Sequence, residues 1–243
     1  MNQQVLDFYY ANKDCKYYPP TLPRKLSVLE GARWILNNPD FAWLKLKIKT
    51  DITQWKAELN NAEPYYVAHR EGESEGWESC CIHGIRTDTT QNWPEYVSEE
   101  TADTYKWTEL SPLVSGVTKF WKDFPSANYK RVRFMKLKPN GYISPHSDRP
   151  GQSIPGEPVD YDPLELGCPI NVAIVHPRSC HMVLEGFGVV PFSEGDAFLI
   201  NIRHRHAVIN FTNQERIHMI GFGVAGDKKE EFANLIIQSY IDQ

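Results

Sequence analysis

Cysteine is scarce in this 243-residue chain, five in all, and none is spaced as CxxC. The odd count and the adjacent Cys80-Cys81 pair argue against a disulfide framework and fit a reducing interior, each thiol serving as a small buried hydrophobe. Excess positive charge is missing too: 26 Lys and Arg stand against 31 Asp and Glu, a net charge of -5. That balance removes the electrostatic footprint of a nucleic-acid binder. Long apolar runs are absent. Nothing reaches the roughly 18 residues a membrane-spanning helix needs, and Met1-Asn2-Gln3-Gln4-Val5-Leu6-Asp7 has neither the basic start nor the apolar stretch of a secretory leader. The expected location is the cytoplasm, with no membrane partner. Internal repeats and low-complexity tracts are likewise absent.

What is present supports a sizeable core. Hydrophobic residues make up 41% and charged ones 23%, which excludes wholesale disorder. The texture changes near residue 128. Before it, Ser27-Val28-Leu29-Glu30 carries a capping-box signature that opens a helix to about Asn37. Asp51 to Leu59 and Ser111 to Phe124 also show helical spacing, whereas His69 to Asp103 reads as long irregular structure. After residue 128 the hydrophobic period becomes two. Strands are expected at Tyr129–Lys138, Cys168–Val175, His181–Leu184, Asp196–Ile202, His206–Asn210 and Glu215–Val224, with Pro139-Asn140-Gly141 as a turn. Lys228–Ile241 reads as a closing amphipathic helix. These patterns predict a single α+β domain, mainly β: a helical or irregular layer over 1–127, an antiparallel sandwich or barrel over 128–226 and a C-terminal helix over 227–243.

The chemistry concentrates in the β half. In Pro145-His146-Ser147-Asp148, residues two apart on an extended segment face one side, so His146 and Asp148 address one point. Such a pair alone arises readily by chance. A third ligand comes from His204-Arg205-His206, where both histidines share strand parity. Two imidazoles and one carboxylate on different strands form a facial triad for Fe(II), with open positions for a bidentate 2-oxo acid and O2. The far carboxylate of that acid then needs a buried cation. Arg216, ten residues beyond His206 on an otherwise apolar strand, offers a planar fork for it, the alternative being an ion pair with Glu215 or Asp196. His218 shares parity with Arg216 and is either support for it or a satisfied core histidine. His69, His83, His176 and His181 have no spacing partner and read as structural.

The ordered set Val132–Asp148, His206-Ala207-Val208-Ile209-Asn210 and Arg216 resembles the aspartyl/asparaginyl β-hydroxylase family of Fe(II)/2-oxoglutarate-dependent dioxygenases. The resemblance covers about residues 130–224. It implies a double-stranded β-helix (jelly-roll or cupin-like) barrel in which 2-oxoglutarate is decarboxylated to succinate and CO2 while O2 hydroxylates a C–H bond. It makes His146, Asp148 and His206 the catalytic iron ligands and Arg216 the anchor of the 2-oxoglutarate C5 carboxylate, with His218 beside it; ten-residue spacing to Arg216 favours His206 over His204. Where many members carry Arg-x-His this chain has Pro169-Ile170-Asn171, so Asn171 is left to serve the C1 end of 2-oxoglutarate and an aspartyl substrate is disfavoured. Arg149 is the candidate for a substrate carboxylate. The Pro- and Gly-rich stretch Arg149–Gly167 reads as a lid. Its acids Glu157, Asp160, Asp162 and Glu165, with Glu71, Glu73, Glu75 and Glu78, suggest a neutral or basic amino-acid or peptide substrate. The alternative class is a cupin-like metal-binding protein without oxygenase activity.

Overall fold

The computed structural model describes residues 2–70, 72, 74–90, 104–148, 162–166 and 169–243. Helix α1 (Gln3–Asn12) opens the chain, followed by α2 (Val28–Asn37), where Ser27 Oγ accepts from the Glu30 backbone N–H and the Glu30 carboxylate accepts from the Ser27 N–H. Those reciprocal bonds satisfy donors that a helix start otherwise leaves orphaned. Strand β1 (Trp43–Lys45) comes next, then α3 (Ile52–Ala62), capped by Asp51. Strands β2 (Val67–Ala68), β3 (Ser74–Gly84) and β4 (Lys106–Trp107) precede α4 (Ser115–Asp123). The remainder is β5 (Asn128–His146), α5 (Pro163–Leu166), β6 (Ile170–Val175), β7 (Cys180–Leu184), β8 (Gly188–Val189), β9 (Ala197–Ile200), β10 (His206–Asn210), β11 (Arg216–Val224) and α6 (Lys229–Ile241).

β5 is the spine. Leu137 pairs with Trp77 of β3 and Arg216 of β11, and Ile143 pairs with Ser74 of β3 and Val208 of β10. β3 therefore holds one edge of β5 from Val132 to Ile143, while the other edge passes from β11 to β10. The order β1-β9-β6-β11-β5-β10-β7-β8 is antiparallel at every contact and curls through this long strand. One strand shared between two sets of neighbours closes the sheet into the double-stranded β-helix, with a helical layer outside it.

Alternation divides the side chains between two cores. Ile217 and Met219 of β11 and Val172 and Ile174 of β6 join Trp55, Trp121, Phe134 and Ile236 in a core under the helices. On the opposite face Leu137, Ile143, Ala173, Cys180, Met182 and Val208 fill the barrel interior. By the same alternation Asn171, Arg216, His218 and His206 share that interior face. Polar residues at interior positions mark where the barrel is not merely packed.

Two expectations are corrected. Pro139-Asn140-Gly141 does not reverse the chain: β5 runs through it, with Asn140 at φ 56°. Its backbone N–H donates to Thr212 O at 3.1 Å. The segment bends the strand where its partner changes, and a Pro lacking an N–H is tolerated at such an irregularity. The stretch from His69 is not all irregular either, because it holds β3. Its polar letters are paired rather than solvated: Glu78 takes Lys136 at 3.1 Å and also pairs with Lys138. Residues 91–103 of that stretch, and Arg149 with most of the expected lid, lie outside the described residues.

Candidate metal centre

The end of β5 and the start of β10 lie side by side, His146 opposite His206. Their rings stand 4.4 Å apart between centroids. Asp148 follows the strand by two residues, its backbone N–H donating to Ile202 O at 2.9 Å. One ligand atom from each of His146, Asp148 and His206 falls within 4.8 Å of the others, and His146 Nε2 is 3.9 Å from Asp148 Oδ2.

Local hydrogen bonds set the ligating atoms. His146 Nδ1 lies 2.7 Å from Ser144 O and His206 Nδ1 lies 2.9 Å from His204 O. A carbonyl only accepts, so both Nδ1 atoms carry the proton and both Nε2 lone pairs are free for a cation. Burial, then His146, push the His206 pKa down to about 4, against the pull of Asp148. His206 is therefore a neutral ligand at ordinary pH. Burial works to raise the Asp148 carboxyl, but Arg70, His146 and His206 outweigh it and hold it below its usual value. His204 is not in the cluster: its Nε2 lies 2.9 Å from Phe41 O.

Arg216 is 2% exposed and sits in the barrel interior. Among the described residues no carboxylate pairs with it, and its Nε has no hydrogen-bond partner. Asp196, one of the two acids expected as the alternative partner, pairs with Lys45 at 2.6 Å. Burial lowers the guanidinium pKa only to about 10, so it stays charged. A buried cation without an anion is costly unless a ligand supplies one. Arg216 Nη2 donates to His218 Nδ1 at 2.8 Å, which leaves the His218 proton on Nε2, facing His176 Nδ1 at 2.9 Å. Asn171 Oδ1 also lies 2.7 Å from the same Nδ1, so Asn171, Arg216 and His218 meet at one point of the interior. Burial, then Arg216 and His176, drive the His218 pKa well down, which keeps that tautomer neutral.

Asn171, His206, Arg216 and His218 are buried in the barrel interior, while His146 and Asp148 are partly exposed at its end. Two contributors escaped the sequence pattern. His176 joins the Arg216 network only because the register slips between Ile217 and His218. Arg70, 3.2 Å from Asp148 Oδ1, comes from a loop with no periodicity to read. Of the acids expected to line the mouth, Asp162 is bound by Arg33 at 2.5 Å and Glu78 by two lysines, so neither contributes open charge.

Among solved structures the chain is similar to a prolyl-4-hydroxylase from Pseudomonas putida, at 11% identity over 82% of this chain and 98% of that one, TM-score 0.44. It is also similar to a 2OG-Fe(II) oxygenase family oxidoreductase from Burkholderia pseudomallei, at 14% identity over 83% and 95%, TM-score 0.47. A viral collagen prolyl hydroxylase from Paramecium Bursaria Chlorella virus-1 gives 13% identity over 74% and 94%, TM-score 0.45. No curated protein matches. Residues 46–221 match the family model of aspartyl/asparaginyl beta-hydroxylase, which begins well before the stretch legible by motif, and over that span, the greater part of its length, the chain belongs to the aspartyl/asparaginyl β-hydroxylase family.

Proposed function

We propose that this chain is an Fe(II)/2-oxoglutarate-dependent dioxygenase that hydroxylates a C–H bond of an amino acid, free or within a peptide. His146 Nε2, Asp148 Oδ2 and His206 Nε2 are its metal ligands, and Arg216 is its anchor for the 2-oxoglutarate C5 carboxylate. The observation that carries the reading is Arg216: an interior guanidinium with an unpartnered Nε and no carboxylate paired to it among the described residues, on the same barrel face as His206. A cupin-like metal protein without a co-substrate has no use for such a cation.

When bound, Fe(II) and 2-oxoglutarate supply the chemistry that couples O2 reduction and decarboxylation to C–H hydroxylation. The chain's own part is orientation and exclusion of water. Ser144 O and His204 O fix the imidazole tautomers. His218, itself held by His176, takes one arm of Arg216 and leaves the rest of the fork for a carboxylate. Leu137, Ile143, Met182 and Val208 wall the interior with apolar surface, which strengthens each of these charge-assisted contacts. No helix among the described residues is long and apolar enough to cross a membrane. The free thiols Cys80, Cys81 and Cys180 suit a reducing compartment such as the cytoplasm.

Succinate release from 2-oxoglutarate with Fe(II), across a panel of amino acids and peptides, tests this reading. At least one substrate should give succinate and a product heavier by one oxygen, and His146→Ala should abolish both. A metal-loaded protein that binds no 2-oxoglutarate and releases no succinate would favour the cupin-like alternative.

A further inference from the structure

We propose that Arg70 is a positioning residue for the Asp148 carboxylate, holding Oδ1 so that Oδ2 alone is offered to the metal. The proposal rests on the metal-centre reading above and assigns a role to a residue outside the triad. Asp148 lies beyond the end of β5, so a single backbone hydrogen bond to Ile202, in the turn between β9 and β10, fixes its backbone but not its side chain. Its two oxygens are divided between neighbours. Oδ2 faces His146 Nε2 at 3.9 Å, while Oδ1 receives Arg70 Nη2 at 3.2 Å.

Arg70 is itself held in place. Its backbone is in the left-handed region, at φ 48°, which side chains other than glycine and asparagine rarely adopt. The Ser74 hydroxyl lies 3.0 Å from His69 O and 3.1 Å from Arg70 O, bracing that turn. His69 N–H donates to Trp77 O at 2.9 Å, and the Arg70 guanidinium stands 5.9 Å from the Trp77 ring centroid. Strain retained by several independent contacts, with the guanidinium delivered to a ligand carboxylate, is the pattern of a supporting residue rather than a solvated one.

The opposite reading is that Arg70 competes with the metal for Asp148, one cation against another. The side chains of Arg70 and Asp148 are 37% and 35% exposed, so solvent screens that repulsion, and the atom Arg70 takes is not the one facing the histidines. The two readings predict opposite signs. If Arg70 positions, its removal weakens metal binding; if it competes, removal tightens it.

Mn(II) titration of the chelator-stripped protein decides, with wild type, His146→Ala, Arg70→Met and Arg70→Lys compared at equal folded fraction by circular dichroism. Arg70→Met keeps the stem over Trp77 and loses the donors, and should weaken Mn(II) binding by about 10- to 100-fold, the usual effect of removing such a partner. Arg70→Lys, which keeps one donor, should recover part or all of the loss, and 2-oxoglutarate affinity at saturating metal should stay within about threefold of wild type. Wild-type or tighter Mn(II) binding by Arg70→Met overturns the proposal; should that variant fail to fold, Arg70→Gln is judged by the same criterion. Equal Mn(II) binding by wild type and His146→Ala would instead remove the metal centre itself, and Arg70's role with it.

Discussion

A guanidinium can be matched by an ammonium in charge but not in shape, and Arg216 is where that distinction matters most. With one arm committed to His218, the remaining N–H groups form a planar fork suited to a carboxylate. Arg216→Lys should therefore raise the 2-oxoglutarate dissociation constant by about tenfold or more, since a charged hydrogen bond is worth about 1.5–3 kcal/mol. Metal binding should survive, because Arg216 touches none of the triad. Unchanged 2-oxoglutarate affinity in a folded variant would return Arg216 to a structural role. Strand alternation is what made His206, Arg216 and His218 readable as facing one interior, because it carries a side chain's direction in its position, whereas Asn171 was singled out only through the family resemblance and Asp148 lies past the end of its strand. His176 was not readable, because a register slip decides its direction, and Arg70 was not, because a loop delivers it.

Among the elements, β5 contributes most to the site, and its bend is its functional feature. A Cβ on Gly141 would come within 2.7 Å of Glu75 O and 2.9 Å of Lys138 O, both backbone atoms that cannot move aside cheaply. Gly141→Ala should cost about 1–3 kcal/mol by overpacking. Because His146 lies five residues further along the same strand, the variant should also bind metal more weakly. A thermal midpoint and Mn(II) affinity equal to wild type would show that the bend tolerates a side chain. Pro139-Asn140-Gly141 looked like a turn because its composition is that of one. What makes it a bend is tertiary: β3 stays paired on both sides of it, so the chain has no room to fold back. β3 was hidden by the opposite deception, since its Ser, Glu and Gly suit a loop in isolation and become strand only when Lys136, Lys138 and His69 satisfy them. Helices α2 and α3, whose caps are local, were read more nearly as they form, whereas α1 was not read at all.

Taken whole, the molecule holds most of its histidines below the usual imidazole pKa. Burial is the leading cause in each case, lowering His69 to about 2 and His83, His176 and His206 to about 4, and driving His218 well down. A depressed histidine pKa means that the unfolded chain, titrating near 6.5, takes up protons the folded chain refuses. Stability from these groups is complete above about pH 6.5 and is lost as pH falls toward 4, at about 1.4 kcal/mol per pH unit for each proton involved. The depressed carboxyls of Asp148, Asp162 and Glu78 act lower, below their usual values of 3.8 and 4.5, so the interval between roughly pH 4.5 and 6.5 belongs to the histidines. The metal-stripped protein should accordingly lose thermal midpoint steeply over that interval. His83 offers a probe away from the metal centre: its ring packs edge-on against Trp107 at 4.8 Å and its Nδ1 has no partner. His83→Phe keeps an aromatic ring there and removes the titration, so proton uptake on unfolding near pH 5.5 should fall by about one, measured from the pH dependence of urea unfolding. A midpoint flat from pH 7 to 5 in wild type, or an uptake unchanged in His83→Phe, would mean that these histidines are protonated in the fold.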